Sequence, residues 1–260
     1  MQPTPYEDMN LLLENIAGDI RSTLGGKLEG LYLYGSLAWG DFDREISDID
    51  LLAVLSADAT EAEIEALRGM HEELASRCPE WNDRIETQYL SVEGLMTFRE
   101  KRSRIVVISP GEPLNAKDAG AEWLQNWYCV QRHGIVLYGP AVTAFMAPVP
   151  KADFVAAVRT YAMRWRTHVP HTRFSRPYQG YAILTLCRAL YTVAHGEQTS
   201  KRRAAEWFKE AYPEHARTVT DGWEWRERYR DADVDHERTY EQTVRFIEFA
   251  VGRLESMSPR

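Results

Sequence analysis

LYLYGSLAWGDFDREISDIDLLAVL, residues 31–55, sets two apolar runs on either side of a polar loop. The alternation Leu31-Tyr32-Leu33-Tyr34 suits a strand, and the unbroken apolar run 51–55 suits a strand buried on both faces. Between them, Gly35-Ser36 reads as a turn. Asp48 and Asp50 stand two residues apart, so in an extended chain both carboxylates leave the same edge while Ile49 turns to the core. Paired carboxylates suit a hard cation such as Mg²⁺, which takes oxygen ligands, commonly one or two protein carboxylates together with water and substrate phosphates. Gly35, having no Cβ, lets backbone N–H groups near Ser36 approach an anion, and the Ser36 hydroxyl adds a donor. Each piece alone has an ordinary reading, Asp-x-Asp as a solvated loop end and Gly-Ser as a turn. A calcium loop beginning at Asp41, Asp43 and Glu45 is excluded, because its sixth position is Ile46 rather than Gly and its twelfth is Leu52 rather than an acid.

Outward from this stretch, the apolar spacing of Leu12, Ile16 and Ile20 predicts a helix over 6–24, ended by Gly25-Gly26. Asp58 to Thr60 cap a second helix reaching about Arg77, with Ile64, Leu67 and Leu74 as its buried stripe. Residues 85–91, IETQYLS, read as the next strand, and Glu86 is the one acid in it. On the residues alone, Glu86 is a surface-facing strand acid. Helix is expected again from Glu122 to Val130. A boundary falls between Pro140 and Pro150, where three prolines cluster, and beyond it 152–165, 178–195, 200–212, 214–229 and 241–254 all read as helices. The expectation is an α/β (α+β) domain with a mixed sheet over 1–145, followed by an all-α helical bundle over 146–260.

The 260 residues carry a formal charge of -8, with no basic footprint for a nucleic-acid backbone. A cationic small-molecule partner fits this charge better. Three widely spaced cysteines, Cys78, Cys129 and Cys187, suggest a reducing, cytoplasmic setting. The opening MQPTPYEDMN has neither the basic start nor the apolar core of a signal peptide, and no stretch reaches the length of a membrane span. His168 and His171 lack a third ligand nearby and read as loop residues rather than a zinc pair.

The order strand, Gly-Ser, a spacer of about a dozen residues, Asp-x-Asp and buried strand resembles the nucleotidyltransferase superfamily that includes DNA polymerase beta. The helical half is similar to that of the aminoglycoside 3''(9)-adenylyltransferases: a helix ending at Gly196, then Ser200-Lys201 and Ala205-Glu206-Trp207. The resemblance implies an ATP-using, Mg²⁺-dependent transferase, with two ions held by Asp48, Asp50 and Glu86, and with Glu86 as catalytic base. It also implies nucleotide contacts from Gly35, Ser36 and Lys201, and a substrate contact from Trp123, which sits in a Glu-Trp-Leu context. On the residues alone, Lys201 reads equally as part of a solvated helix start with Arg202 and Arg203. Where the resemblance implies acids opening the central helix, this chain has the basic and aromatic run Arg173-Phe174-Ser175-Arg176-Pro177-Tyr178-Gln179. Trp165 and Tyr178 read there as core or as pocket lining. The acceptor implied is a cationic aminocyclitol such as streptomycin or spectinomycin. Two other readings stay open: a transferase acting on a protein hydroxyl, and a nucleotide-binding module without catalysis.

Overall fold

A computed structural model describes residues 2–228 and 234–257, so the end of the expected helix 214–229 lies outside the described residues. The chain forms two compact units, Met1–Val149 and Pro150–Arg260.

The first unit runs α1 (Glu7–Leu24), β1 (Leu28–Tyr34), α2 (Gly35–Trp39), β2 (Ile49–Leu55), α3 (Glu61–Arg77), β3 (Ile85–Ser91), α4 (Val92–Thr97), β4 (Ser103–Ser109), β5 (Glu112–Ala119), α5 (Leu124–His133) and β6 (Ile135–Tyr138). The six strands form one mixed sheet in the order β5-β4-β3-β2-β1-β6. Only β2 and β3 pair in parallel. Helix α3 makes their crossover, and it is started by a capping box in which Thr60 accepts from Glu63 N–H and Glu63 reaches back to Thr60 N–H. The turn expected at Gly35-Ser36 is instead the first turn of the short helix α2, too brief to leave a period in the sequence. Strand β2 begins at Ile49, so Asp48 stands just before it rather than inside it.

Period two sorts the sheet residues onto two faces. Leu31, Leu33, Leu51, Ala53, Ile85 and Tyr89 pack with Leu13, Ile16 and Ile20 of α1 and with Ile64, Leu67 and Leu74 of α3 in one apolar core. Their alternates, Tyr34, Asp50, Glu86 and Gln88, are left to the opposite face, and the candidate site is built there.

The second unit is helical: α6 (Lys151–Met163), α7 (Trp165–His168), α8 (Arg176–His195), α9 (Lys201–Ala211), α10 (Ala216–Glu227) and α11 (Tyr240–Ser256). Helix α8 is buried along most of its length, which is why its sequence is apolar all round. At its start the fully buried Gln179 is satisfied at both ends. Its Nε2 donates to His236 O at 2.8 Å, and its Oε1 accepts from the hydroxyls of Thr239 and Thr243 at 2.7 and 3.1 Å. His168 and His171 lie with ring centroids 4.9 Å apart. A Cβ added at Gly180 of α8 would stand 2.5 Å from the carbonyl oxygen of Gly222 on α10. That neighbour is backbone and cannot swing aside, so Gly180→Ala forces the two helices apart. The expected loss is about 1–3 kcal/mol, larger than the gain in helix propensity. A urea midpoint that stays put or rises would show that the crossing yields freely.

Candidate active site

The site starts from register. Asp50 of β2 faces Tyr34 across the antiparallel pair with β1 and Glu86 across the parallel pair with β3. Directly paired residues share a face, so the Asp50 and Glu86 carboxylates project side by side, with the Tyr34 phenol on the other flank of Asp50. Gly35 follows Tyr34 with φ of 71°, a left-handed conformation. A Cβ built there would stand 1.8 Å from Asp50 Oδ2. The backbone of the Gly-Ser segment therefore approaches the carboxylate as closely as a missing side chain permits.

Asp48 arrives on a loop fixed from β3's side. The Arg84 guanidinium donates from Nη2 to the carbonyls of Arg44 and Ser47 at 2.6 and 2.7 Å, and its Cζ lies 4.4 Å from the Trp81 ring centroid. Ser47 Oγ accepts from Asp43 N–H, and Ile49 N–H donates to Arg84 O. These bonds close the loop on itself immediately before β2.

Glu86 is half-buried and has partners. Its Oε1 accepts from Gln88 Nε2 at 2.7 Å, and the same nitrogen donates to Tyr34 Oη at 2.6 Å. Burial, and then the Asp48 charge, push the Glu86 carboxyl above the usual carboxylate range, against the hydrogen bond from Gln88 and the charge of Lys117. Tyr34 is held well above its ordinary value by burial and then by the charges of Glu86 and Asp50. Asp48, Asp50, Glu86 and Tyr34 thus occupy one electrostatic neighbourhood.

The expected metal set of Asp48, Asp50 and Glu86 has its members in one neighbourhood, Asp50 and Glu86 in direct register and the Asp48 charge acting on Glu86. Among the described residues no three His, Cys, Asp or Glu side chains stand together as a metal-holding group. The Glu86 carboxylate accepts from Gln88 through Oε1, and a carboxylate so bonded retains lone pairs with which to accept a proton or ligate a cation. A donor set of two aspartates with phosphate oxygens remains chemically suited to Mg²⁺.

Ser36 is half-buried one residue into α2. Trp123 is half-buried and stacks on Trp127 at 5.7 Å between centroids; Lys117 Nζ sits 5.9 Å from the Trp123 ring, and its charge also reaches Glu86. In the second unit, Lys201 is the first residue of α9, 5.6 Å from the Tyr181 ring centroid, behind the N-cap Ser200. Trp165 is buried among Tyr178, Tyr181 and His168.

Four residues of this site escape a reading of the sequence. Tyr34 and Gln88 were visible in principle, since they share the period-two face of Asp50 and Glu86. Lys117 and Asn126 come from β5 and α5, far along the chain, and carried no signal.

Residues 13–104 match the family described as Nucleotidyltransferase domain, and 144–252 match Aminoglycoside adenylyltransferase, C-terminal domain. Aminoglycoside (3'') (9) adenylyltransferases from Shigella flexneri and Escherichia coli are each 24% identical, over 271 and 272 residues, with 98% of this chain and 98% of each relative covered. Among solved structures, spectinomycin adenyltransferase AAD(9) from Enterococcus faecialis, crystallised with ATP and spectinomycin, superposes with a TM-score of 0.72. It is 19% identical and covers 95% of this chain and 99% of its own.

Proposed function

We propose that this chain, a nucleotidyltransferase of the aminoglycoside adenylyltransferase-like kind, transfers AMP from ATP to a hydroxyl of an aminoglycoside or aminocyclitol. The observation that carries the reaction type is the register of Asp50 with Glu86, beside a glycine that leaves room for nothing but the carboxylate. ATP and the acceptor class rest on the relatives' names and on the ligands of the spectinomycin adenyltransferase structure.

Asp48 and Asp50 would hold magnesium in this reading. When bound, the metal lowers the charge opposing attack on the α-phosphate and stabilises the departing pyrophosphate. Glu86 takes the proton of the acceptor hydroxyl. A bond forms between the acceptor oxygen and the α-phosphorus as the bridging bond to the β-phosphate breaks in line. A raised proton affinity serves a general base working near neutral pH. Gly35 and Ser36 are assigned to phosphate oxygens. Lys201 is given the same role on the resemblance alone; as the first residue of a helix its ammonium adds to the dipole's positive end. Trp123 is assigned to the acceptor, next to Lys117.

Incubating the protein with ATP labelled at the α-phosphate, Mg²⁺ and a panel of aminocyclitols tests this. Label is expected on one acceptor, with one pyrophosphate released per transfer. Label that stays in ATP across the panel, with no pyrophosphate, removes the assigned acceptor class.

A further inference from the structure

Gln88 is fully buried, and its register neighbours are Leu52 on β2 and Val107 on β4. An amide is costly among such neighbours unless its hydrogens are used. Both are: one bonds Glu86 Oε1, the other Tyr34 Oη. The amide carbonyl, by contrast, meets no partner among the described residues. Turning the amide over would place that carbonyl against the carboxylate, so the donor end alone sets its orientation. Tyr34 Oη also receives Asn126 Nδ2 at 3.3 Å. The result is a hydrogen-bonded chain from Glu86 through Gln88 to Tyr34 on one sheet face, with Asn126 of helix α5 behind it.

We propose that Gln88 and Tyr34 are positioning residues: Gln88 holds the Glu86 carboxylate by a hydrogen bond, Tyr34 holds the Gln88 amide, and together they orient the carboxylate as proton acceptor for the acceptor hydroxyl. The catalytic part rests on the transfer reaction proposed above. The positioning itself does not, because the chain of hydrogen bonds exists without any acceptor.

Gln88→Leu fills the same space without donors, and Tyr34→Phe keeps the ring without the hydroxyl. Each is expected to lower kcat for label transfer about 10- to 100-fold, the usual cost of losing a residue that orients a reacting group, with the KM for ATP within about twofold. In a Glu86→Gln background neither substitution lowers the residual rate further, because both act through the carboxylate that is gone. Independently of turnover, the ¹³C-carboxyl resonance of Glu86, assigned by its loss in Glu86→Gln, moves in both single variants. An unmoved resonance, or a further loss in the Glu86→Gln background, overturns the proposal. A wild-type protein that transfers no label while the resonance still moves rejects the transfer reaction and leaves the positioning standing.

Discussion

Asp50→Asn is expected to cut nucleotidyl transfer by about a thousandfold or more, roughly 4 kcal/mol of transition-state stabilisation, while the protein folds as before. The substitution keeps the shape and removes one charge. That charge is set directly between Tyr34 and Glu86 by the sheet register, and Gly35 leaves it room, so Asn occupies the same position without strain. What disappears is half of the anionic pair assigned to the metal, at the point where charge builds on the α-phosphate. Stability moves the other way or stays level. Removing one of several crowded like charges relieves repulsion, which is the usual cost of a functional cluster. The check is label transfer at saturating Mg²⁺ alongside thermal unfolding. Turnover within tenfold of wild type would take Asp50 out of the reaction, and a lowered unfolding temperature would mean that its role is structural.

The extent to which this site was legible in the sequence follows from what sequence patterns encode. The two faces of the sheet were readable because Leu31 and Leu33 alternate with Tyr32 and Tyr34, and because Ile49 and Leu51 flank Asp50. Pairing between strands was not. That Asp50 sits opposite Glu86, 36 positions on, is a consequence of the α3 crossover and the parallel register, and neither leaves a local mark. Strand β5, EPLNAKDA, was missed altogether. It carries Pro113, Asn115, Lys117 and Asp118, poor strand formers that suit a sheet edge and discourage pairing with another chain. That edge brings Lys117 toward Glu86. The short helix α2 was read as a turn because five residues hold little more than one helical repeat.

Gly35→Ala is expected to combine the loss of activity predicted for Asp50→Asn with a loss of stability that Asp50→Asn is expected to lack. Two costs coincide at this residue. Its φ of 71° is a conformation that an L side chain enters at about 1–2 kcal/mol. Its Cβ would also stand 1.8 Å from Asp50 Oδ2 and 2.6 Å from Cγ, so the carboxylate must leave its place. Tyr34 and Glu86 flank Asp50 in the register, which blocks a small sideways adjustment and makes the displacement a loss of the metal-facing position. Transfer is therefore expected to fall by about a hundredfold or more. Gly40 separates the two costs. It too is left-handed, with φ of 77°, but open space surrounds the Cβ position. Gly40→Ala should lower the unfolding midpoint by a comparable amount with transfer close to wild type. If Gly35→Ala and Gly40→Ala behave alike in both measurements, strain alone accounts for Gly35, and its close approach to Asp50 has no part in the chemistry. If Gly35→Ala adds nothing to the loss of activity in an Asp50→Asn background, the two act at one point, as the 1.8 Å approach requires.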